Sequence, residues 1–214
     1  MSANVKQGGY LDAVYGATTP HEIASQYDRW AQSYDADMSA VGYRHPAICL
    51  ALVARHLPRG VSPLLDAGAG TGTVGEWLRL IGYPIVEGLD ISEGMLAVAA
   101  QKGVYSKLHK LALGAPLPFA NASFAGIVSV GVFTSGHVGV EGLDELIRIC
   151  RPGGAIIMTV KTTLFDASIE PRLRELELVG RVTRVETTEP YISMPGEAAT
   201  VPSLALAMRV NKPA

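Results

Sequence analysis

The sequence predicts an α/β fold in which helices flank a mostly parallel sheet, and three observations support this. From Ser62 onward, apolar runs alternate with glycine-rich turns and amphipathic helical segments. The apolar runs are nearly continuous, as expected of parallel strands that are buried on both faces. Near the C-terminus, two β-rich stretches separated by Pro190, Pro195 and Gly196 predict a closing antiparallel pair.

Two helices are predicted before the first strand. The segment Thr19-Pro20-His21-Glu22 has the pattern of a capping box with proline at the first helical position, which predicts a helix from about Pro20 to Tyr34. A second helix is predicted from about Pro46 to Leu57. Residues 1–18 are mostly small and polar, so we expect a mobile N-terminal arm, with residues 19–214 forming a single domain.

The remaining elements follow in a regular order. Strands are predicted at Pro63 to Asp66, Pro84 to Asp90, Leu108 to Leu113, Ile127 to Gly131 and Ala155 to Val160. Helices are predicted at Gly72 to Ile81, Ser92 to Gln101, Glu141 to Cys150 and Glu170 to Leu178. The closing pair is predicted at Arg181 to Thr188 and Val201 to Val210.

The composition points to a small-molecule partner. The 214 residues are 48% hydrophobic and carry a net charge of −2 without long charged runs, which disfavours nucleic acid and anionic membranes as partners. The two cysteines, Cys49 and Cys150, lack metal-ligand spacing, so no metal is expected. No export signal and no apolar run of about eighteen residues is visible, so we expect a cytoplasmic protein without stable membrane insertion.

The strongest local signal is a glycine loop after the first predicted strand. That strand ends in Asp66 and opens into Gly68 and Gly70, where backbone N–H groups can approach a ligand. The pattern Gly70-x-Gly72-x-x-Gly75 also fits a dinucleotide fingerprint, so a nicotinamide-dependent oxidoreductase is an alternative. Asp66 argues against it, because a carboxylate there would repel a pyrophosphate and attract an ammonium group. Asp90 ends the next strand, where it can accept hydrogen bonds from both hydroxyls of a ribose.

The glycine loop and Asp90 belong to a series of four motifs along the chain. The motifs are Leu65-Asp66-x-Gly68-x-Gly70-x-Gly72, Leu89-Asp90-x-Ser92-x-x-Met95-Leu96, Leu117-Pro118-Phe119 and Arg151-Pro152-Gly153-Gly154. With these motifs in this order, the sequence resembles the class I S-adenosylmethionine-dependent methyltransferases. More narrowly, Tyr27-Asp28-Arg29-Trp30-Ala31 with Tyr34-Asp35, and Gly131 followed by Gly136-His137-Val138, resemble the methyltransferase-like proteins of the Williams–Beuren region and their bacterial relatives. The resemblance, from about Ile23 to Lys161, implies a Rossmann-like, doubly wound sheet of seven strands, mostly parallel with one antiparallel edge strand.

The resemblance also implies S-adenosylmethionine as the cofactor and gives individual residues a role in binding it. These residues are Tyr27, Tyr34, Asp66, Gly68, Gly70, Asp90, Ile91, Met95 and Gly131. Asp66 and Gly68 would meet the methionine end, and Asp90 would meet the ribose. Ile91 and Met95 would sandwich the adenine. Tyr27 and Tyr34 would cover the cofactor, although with Trp30 they form a helical stripe that is also typical of core packing.

The sequence departs from the family pattern at two places, which concern the binding of adenine and the kind of group that is methylated. The Asp or Asn that many relatives carry shortly before Leu-Pro-Phe is absent, so the adenine amino group would be bound by backbone groups, for which Leu113 and Gly114 are candidates. No Asn-Pro-Pro-Tyr type segment follows the strand Ile127 to Gly131, which disfavours methylation of an amide or a nucleobase amine.

Candidate acceptor-site residues lie in two segments. His137, in the Gly/Ser/Thr-rich loop that also contains Thr134, is a candidate general base for an acceptor that must lose a proton. Tyr43 and Arg44, next to His45, form a second candidate cluster, with Tyr43 as an orienting group. We therefore predict in-line transfer of a methyl group to an O, N or S atom of a small molecule, by a monomer or homodimer.

Two alternatives remain open. A phospholipid-headgroup N-methyltransferase would need a basic amphipathic N-terminal helix, but the segment from Pro20 to Tyr34 contains one arginine and several acids. A non-catalytic protein that binds S-adenosylmethionine or S-adenosylhomocysteine also fits, because the residues with the clearest roles are cofactor residues. Loss of turnover with retained cofactor affinity in His137→Ala would favour an enzyme.

Overall fold

The computed structural model describes residues 10–17, 19–134, 138–197 and 200–212, and its centre is a seven-stranded sheet. The strands are β1 Leu64–Ala67, β2 Val86–Asp90, β3 Lys107–Lys110, β4 Phe124–Phe133, β5 Cys150–Lys161, β6 Val182–Thr187 and β7 Ser203–Val210. Their order is β3-β2-β1-β4-β5-β7-β6. Strands β1 to β5 pair in parallel, and β7 runs antiparallel to both β5 and β6 at one side of the sheet. The predicted fold class is confirmed.

Helices cover both faces of this sheet. They are α1 Tyr10–Tyr15, α2 Pro20–Trp30, α3 Tyr34–Ala40, α4 His45–His56, α5 Thr73–Leu80, α6 Glu93–Lys102, α7 Val140–Ile149, α8 Thr162–Leu164 and α9 Glu170–Leu178, with a π-helical turn at Phe165–Ile169. One apolar core packs α7 and α9 on one face through Leu143, Leu146 and Leu173. A second core packs α4 and α5 on the other through Leu52 and Leu78. The carboxyl ends of the parallel strands are therefore left as the place for a ligand.

Within the described residues, four helices precede β1, where the sequence predicted two. The predicted helix from Pro20 to Tyr34 ends at Trp30, and α3 starts after a short turn. The carboxylate of Asp37 holds this turn, because its Oδ2 accepts hydrogen bonds from Trp30 Nε1 at 2.7 Å and Ser33 Oγ at 2.8 Å. Across this turn the Tyr34 ring contacts the Trp30 ring, with 4.7 Å between the ring centroids.

The additional helix α1 lies within residues 1–18, the segment predicted to be a mobile arm. Val14 is 1% exposed and packs in a small cluster with Trp30, Met38 and Met194. The Tyr10 ring stacks on the Trp30 ring with 5.6 Å between centroids. Residues 1–9 and 18 lie outside the described residues, so mobility of the arm stays a prediction.

Candidate cofactor site

A cavity of about 820 Å³, which includes space open to solvent, lies at the carboxyl ends of β1, β2 and β4, beneath α2. Nine of the residues that the sequence predicted to contact the cofactor line it, namely Tyr27, Tyr34, Gly68, Gly70, Asp90, Ile91, Met95, Leu113 and Gly131. The remaining lining is mostly apolar and was not predicted; it includes Pro20, Ile23, Leu111, Val130, Val132 and Val138.

Asp90 connects the two loops that form the floor of this cavity. Its Oδ2 accepts a hydrogen bond from the Gly70 backbone N–H at 2.8 Å, and its Oδ1 accepts one from the Ser92 N–H at 2.9 Å. Burial raises the pKa of Asp90 from its ordinary value, while these backbone hydrogen bonds act in the opposite direction. A carboxylate offers about four acceptor positions, so Asp90 retains capacity for ligand hydroxyl groups.

The glycines of the loop leave room for a ligand against the backbone. Gly70 has φ +53°, and a Cβ atom there would meet no atom within 4 Å, so the chain borders open space at this point. Gly68 has φ +90°, and a Cβ there would lie 2.1 Å from Val132 Cγ2, so only glycine allows this close approach. These features fit an adenosine-containing cofactor. The Asp90 carboxylate can accept hydrogen bonds, the backbone at Gly70 borders open space, and Ile91 and Met95 form apolar walls.

Asp66 does not line the cavity, contrary to the sequence-based expectation that it would meet the methionine end of the cofactor. Side chains alternate along β1, so Asp66 points to the same face of the sheet as Leu64 and is fully buried. Its Oδ2 accepts a hydrogen bond from the Tyr105 hydroxyl at 2.7 Å, and within the described residues Oδ1 has no partner. Burial raises the pKa of Asp66 to about 7; the Tyr105 hydrogen bond lowers it and the Asp90 charge raises it.

Two further candidate residues, Gly114 and Arg44, are not among the residues that line the cavity, so their roles stay predictions. Gly114, a candidate for adenine recognition, has φ +104° and does not line the cavity. Instead Leu111, Ala112 and Leu113 form this wall. Arg44, a candidate acceptor contact, has an exposed side chain and lines neither this cavity nor its neighbour, while its backbone N–H donates to the Ser193 carbonyl.

The other candidate acceptor residues have different positions. Tyr43 lines a second cavity, described below. Thr134 follows β4 and is buried without lining either cavity. His137, the candidate base, lies outside the described residues, so its role stays a prediction. Val138, the next described residue, lines the first cavity.

A second cavity of about 1,330 Å³, which includes space open to solvent, lies between α3, α4 and α5 and borders the first. The two share Tyr34, Gly68, Gly70 and Val130. Its other walls are largely apolar, with Met38, Tyr43, Pro46, Leu50, Val74 and Trp77, and include the charged residues Asp35, Glu76 and Lys102. The second cavity is therefore a candidate place for a second molecule beside the first cavity.

The sequence analysis gave no role to Asp28 and Asp35. Each follows one of the tyrosines predicted to cover the cofactor, which was the available signal. The Asp28 carboxylate accepts hydrogen bonds from residues at the start of α6, and the Asp35 carboxylate accepts hydrogen bonds from residues at the start of α5. Their partners are distant in sequence, so local pattern reasoning does not identify these contacts.

Among the described residues, no group of three or more His, Cys, Asp and Glu side chains has a geometry that could hold a metal ion. In the same part of the chain, no helix has the length and apolar character needed to cross a membrane.

Comparison with known proteins identifies related chains. A family model described as "Methyltransferase domain" matches residues 65–158. The human methyltransferase-like protein 27 is 34% identical over 161 residues, covering 72% of this chain and 65%, slightly under two thirds, of the human protein. Demethylmenaquinone methyltransferase of Mycobacterium sp. (strain KMS) is 30% identical over 184 residues, covering 80% of this chain and 74% of the relative.

The fold also resembles solved structures. The 1,6-didemethyltoxoflavin-N1-methyltransferase of Burkholderia thailandensis, solved with 1,6-didemethyltoxoflavin and S-adenosylhomocysteine bound, aligns with a TM-score of 0.62 and 20% identity. The alignment covers 92% of each chain. At this identity the likeness describes the fold.

Proposed function

The chain belongs to the class I S-adenosylmethionine-dependent methyltransferases, and on that premise we propose that it methylates an oxygen, nitrogen or sulfur atom of a small-molecule acceptor. The observation that carries the proposal is that the two cavities share part of their walls. The first has the lining expected for the cofactor, and the second shares Tyr34, Gly68 and Val130 with it. An acceptor in the second cavity would lie next to the bound cofactor and would receive the methyl group directly, without a covalent enzyme intermediate.

In this mechanism the protein contributes mainly alignment and exclusion of water. The cofactor, when bound, supplies a methyl group on a positively charged sulfur, which is already a strong electrophile. Asp90 binds the ribose hydroxyls and holds the glycine loop through Gly70. Ile91 and Met95, which line the cavity, would enclose the adenine, and Tyr27 and Tyr34 would exclude water from the side of α2 and α3.

The class of acceptor is inferred from the cavity and from the named relatives. The second cavity is mostly apolar with a charged rim, which suits a ring compound with a few polar substituents. The relatives include enzymes named for demethylmenaquinone and for 1,6-didemethyltoxoflavin. Tyr43 would orient such an acceptor, and His137 would accept its proton where one must be lost.

The first test is calorimetric titration of the purified protein with S-adenosylmethionine, S-adenosylhomocysteine and NADH. We expect the first two to bind and NADH to give no heat. Asp90→Ala should lose at least about tenfold in affinity, because it removes a charged acceptor of the ribose hydroxyls. Binding of NADH alone, or of none of the three, would refute the proposed cofactor site.

The second test measures release of S-adenosylhomocysteine in the presence of candidate acceptors, starting with demethylated quinones and nitrogen heterocycles. Turnover with one of these supports the small-molecule proposal. His137→Ala should then lower kcat without changing the cofactor affinity. Methylation of a macromolecule with no turnover on any small acceptor would contradict it.

A further inference from the structure

Two Tyr-Asp pairs lie in the segment that covers the cofactor cavity. We define the cover segment as residues 20–40, which contain α2 and α3. Tyr27 and Tyr34 line the cavity from this segment. The residue that follows each tyrosine is an aspartate whose carboxylate bonds to a loop on the opposite wall. Each pair thus combines one residue that faces the cavity with one that fastens the cover.

Asp28 fastens the cover at the ribose side of the cavity. Its Oδ1 accepts hydrogen bonds from Ser92 Oγ at 2.6 Å and from the Gly94 backbone N–H at 2.8 Å. Ser92 and Gly94 begin α6, directly after Asp90 and Ile91, which line the cavity. Because a Cβ at Gly94 would lie 2.8 Å from Asp28 Cα, only glycine permits this close approach of α2 to α6. We call these two hydrogen bonds the ribose-side contact.

Asp35 fastens the cover at the glycine loop. Its Oδ1 accepts hydrogen bonds from Thr71 Oγ1 at 2.5 Å and Thr73 Oγ1 at 3.1 Å, and its Oδ2 accepts one from Lys102 Nζ at 2.8 Å. Lys102 Nζ also lies 2.9 Å from Glu76 Oε2, so one ammonium group joins α3, α5 and α6. We call these bonds of Asp35 the loop-side contact.

Both aspartates are ionised in this arrangement. Burial alone would raise the pKa of Asp28, but the hydrogen bonds from Ser92 and Gly94 lower it overall. Burial would likewise raise the pKa of Asp35, and the bonds from Lys102, Thr71 and Thr73 lower it overall. Charged acceptors make stronger hydrogen bonds than neutral ones, so each contact is suited to holding a segment in place.

We propose that Asp28 and Asp35 are positioning residues that hold the cover segment over the bound cofactor, Asp28 at its adenosine end and Asp35 at its methionine end. The inference rests on the proposed function, because it assumes that the cofactor occupies the first cavity. Neither aspartate lines that cavity, so both act through the tyrosines and loops that they fasten. Residues that only stabilised the fold would affect binding of both ends of the cofactor alike. In the arrangement proposed here, each aspartate affects mainly the end of the cofactor that lies next to it.

The test measures affinity for S-adenosylhomocysteine and for adenosine, which lacks the amino-acid end. We expect Asp28→Ala to weaken both ligands by about tenfold, because the ribose side is common to them. We expect Asp35→Ala to weaken S-adenosylhomocysteine by about tenfold and adenosine by less than about twofold. Asp144→Asn, on α7 and paired with Arg172, is the control and should bind both ligands like the wild type.

Asparagine variants of the two aspartates make the test more specific, and they can be used where an alanine variant does not fold. Asp28→Asn keeps the oxygen that accepts both bonds of the ribose-side contact, so its affinities should stay within about threefold of the wild type. In Asp35→Asn, one of the two carboxylate oxygens becomes an NH₂ group, which cannot accept a hydrogen bond. This NH₂ group faces either the Lys102 ammonium or the two threonine hydroxyls, so part of the loop-side contact is lost in either orientation, and the variant should resemble Asp35→Ala. Lys102→Met removes the ammonium group that donates to Asp35 Oδ2. Like Asp35→Ala, it should weaken binding of S-adenosylhomocysteine more than binding of adenosine.

The outcomes separate this inference from the proposed function. If the wild-type protein does not bind S-adenosylhomocysteine, both fail. If the wild type binds but Asp28→Ala and Asp35→Ala bind both ligands with unchanged affinity, the positioning role alone is wrong. Equal losses for adenosine and S-adenosylhomocysteine in Asp35→Ala would overturn the assignment of separate ends.

Discussion

Gly131 shows how one backbone conformation shapes the junction of the two cavities. Its φ is +75°, and its N–H donates to Thr159 Oγ1 at 2.7 Å. A Cβ atom at this position would lie 2.3 Å from the hydroxyl oxygen of Tyr43. Glycine therefore allows both the left-handed backbone of β4 and the close approach of the Tyr43 ring, which borders the proposed acceptor space.

Gly131→Ala should destabilise the protein by about 1–3 kcal/mol, through backbone strain and the contact with Tyr43. In the double variant Gly131→Ala/Tyr43→Phe, the missing hydroxyl relieves the contact and should restore part of this loss. Urea unfolding of the four proteins gives the coupling free energy directly. Strictly additive effects would contradict the geometry at this junction.

Asp66 is the second residue with a consequence that can be measured, in this case through pH. Its native pKa is raised to about 7, chiefly by burial, whereas an unfolded Asp has a value of about 3.9. Between these values the native protein binds a proton that the unfolded chain does not. The free energy of unfolding should therefore fall as pH rises from about 4 to about 7, and this contribution should level off above that range.

Asp66→Asn should remove this part of the pH dependence, on the order of a few kcal/mol across the range. Tyr105→Phe should have the opposite effect, because the Tyr105 hydrogen bond lowers the Asp66 pKa, and the decline should extend to higher pH. Chemical unfolding at intervals from pH 4 to pH 9 measures both. A slope in Asp66→Asn that equals the wild-type slope would show that Asp66 does not titrate in this range.

The residues that could be predicted from sequence were those whose role follows from neighbours in the chain. The glycine loop and Asp90 carry their geometry in a short motif, and Gly68, Gly70 and Asp90 indeed line one cavity. Asp66 belongs to the same motif, but the alternation of β1 turns it inward. Asp28 was not assigned because its partner Ser92 lies 64 residues away, and only the folded chain brings them together.

At the level of elements, the periodic and strongly bounded segments were predicted best. The predicted helix from Glu141 to Cys150 corresponds to α7, Val140–Ile149, because its apolar residues recur at helical spacing. The predicted helix from Pro20 to Tyr34 missed its break at Trp30, since Asp37 and Ser33 form the turn through side-chain bonds that no apolar pattern contains. The strand expected from Leu108 to Leu113 ends at Lys110, and the residues after it line the cavity instead.

Helix α7 provides a test of packing at this scale. Leu146 is fully buried in the core between α7 and the sheet. Leu146→Ala should reduce the free energy of unfolding by about 2–5 kcal/mol, because it removes buried apolar surface and leaves a cavity. Leu178→Ala, at the end of α9 where the side chain is 86% exposed, is the matched control and should change stability by less than about 0.5 kcal/mol. Equal effects of the two substitutions would contradict the placement of α7 against the core.

Across the whole molecule, the sheet separates the regions that stabilise the fold from the region that can bind a ligand. Its two faces are occupied by separate apolar cores, so the strand ends carry the polar and backbone groups that a ligand can use. Five parallel strands turn their carboxyl ends to one edge, and the N-terminal helices α2 and α3 cover that edge. Binding at this edge touches β1, β2 and β4 together with the N-terminal cover, so ligand affinity and global stability should be linked.

This linkage gives a prediction for the complete protein. S-adenosylhomocysteine at about one hundred times its Kd should raise the free energy of unfolding by about 2.7 kcal/mol, because the ligand binds the native state and not the unfolded chain. Asp90→Ala should lose at least about half of this gain at the same ligand concentration, because a tenfold weaker Kd leaves a shift of about 1.4 kcal/mol. Asp144→Asn should retain the full gain, since neither Asp144 nor its ion-pair partner Arg172 lines either cavity. Urea unfolding with and without ligand measures the shift for each protein. A full shift in Asp90→Ala would mean that the ligand binds elsewhere on the native protein, because the carboxylate that joins the two cofactor loops would then contribute nothing to its affinity.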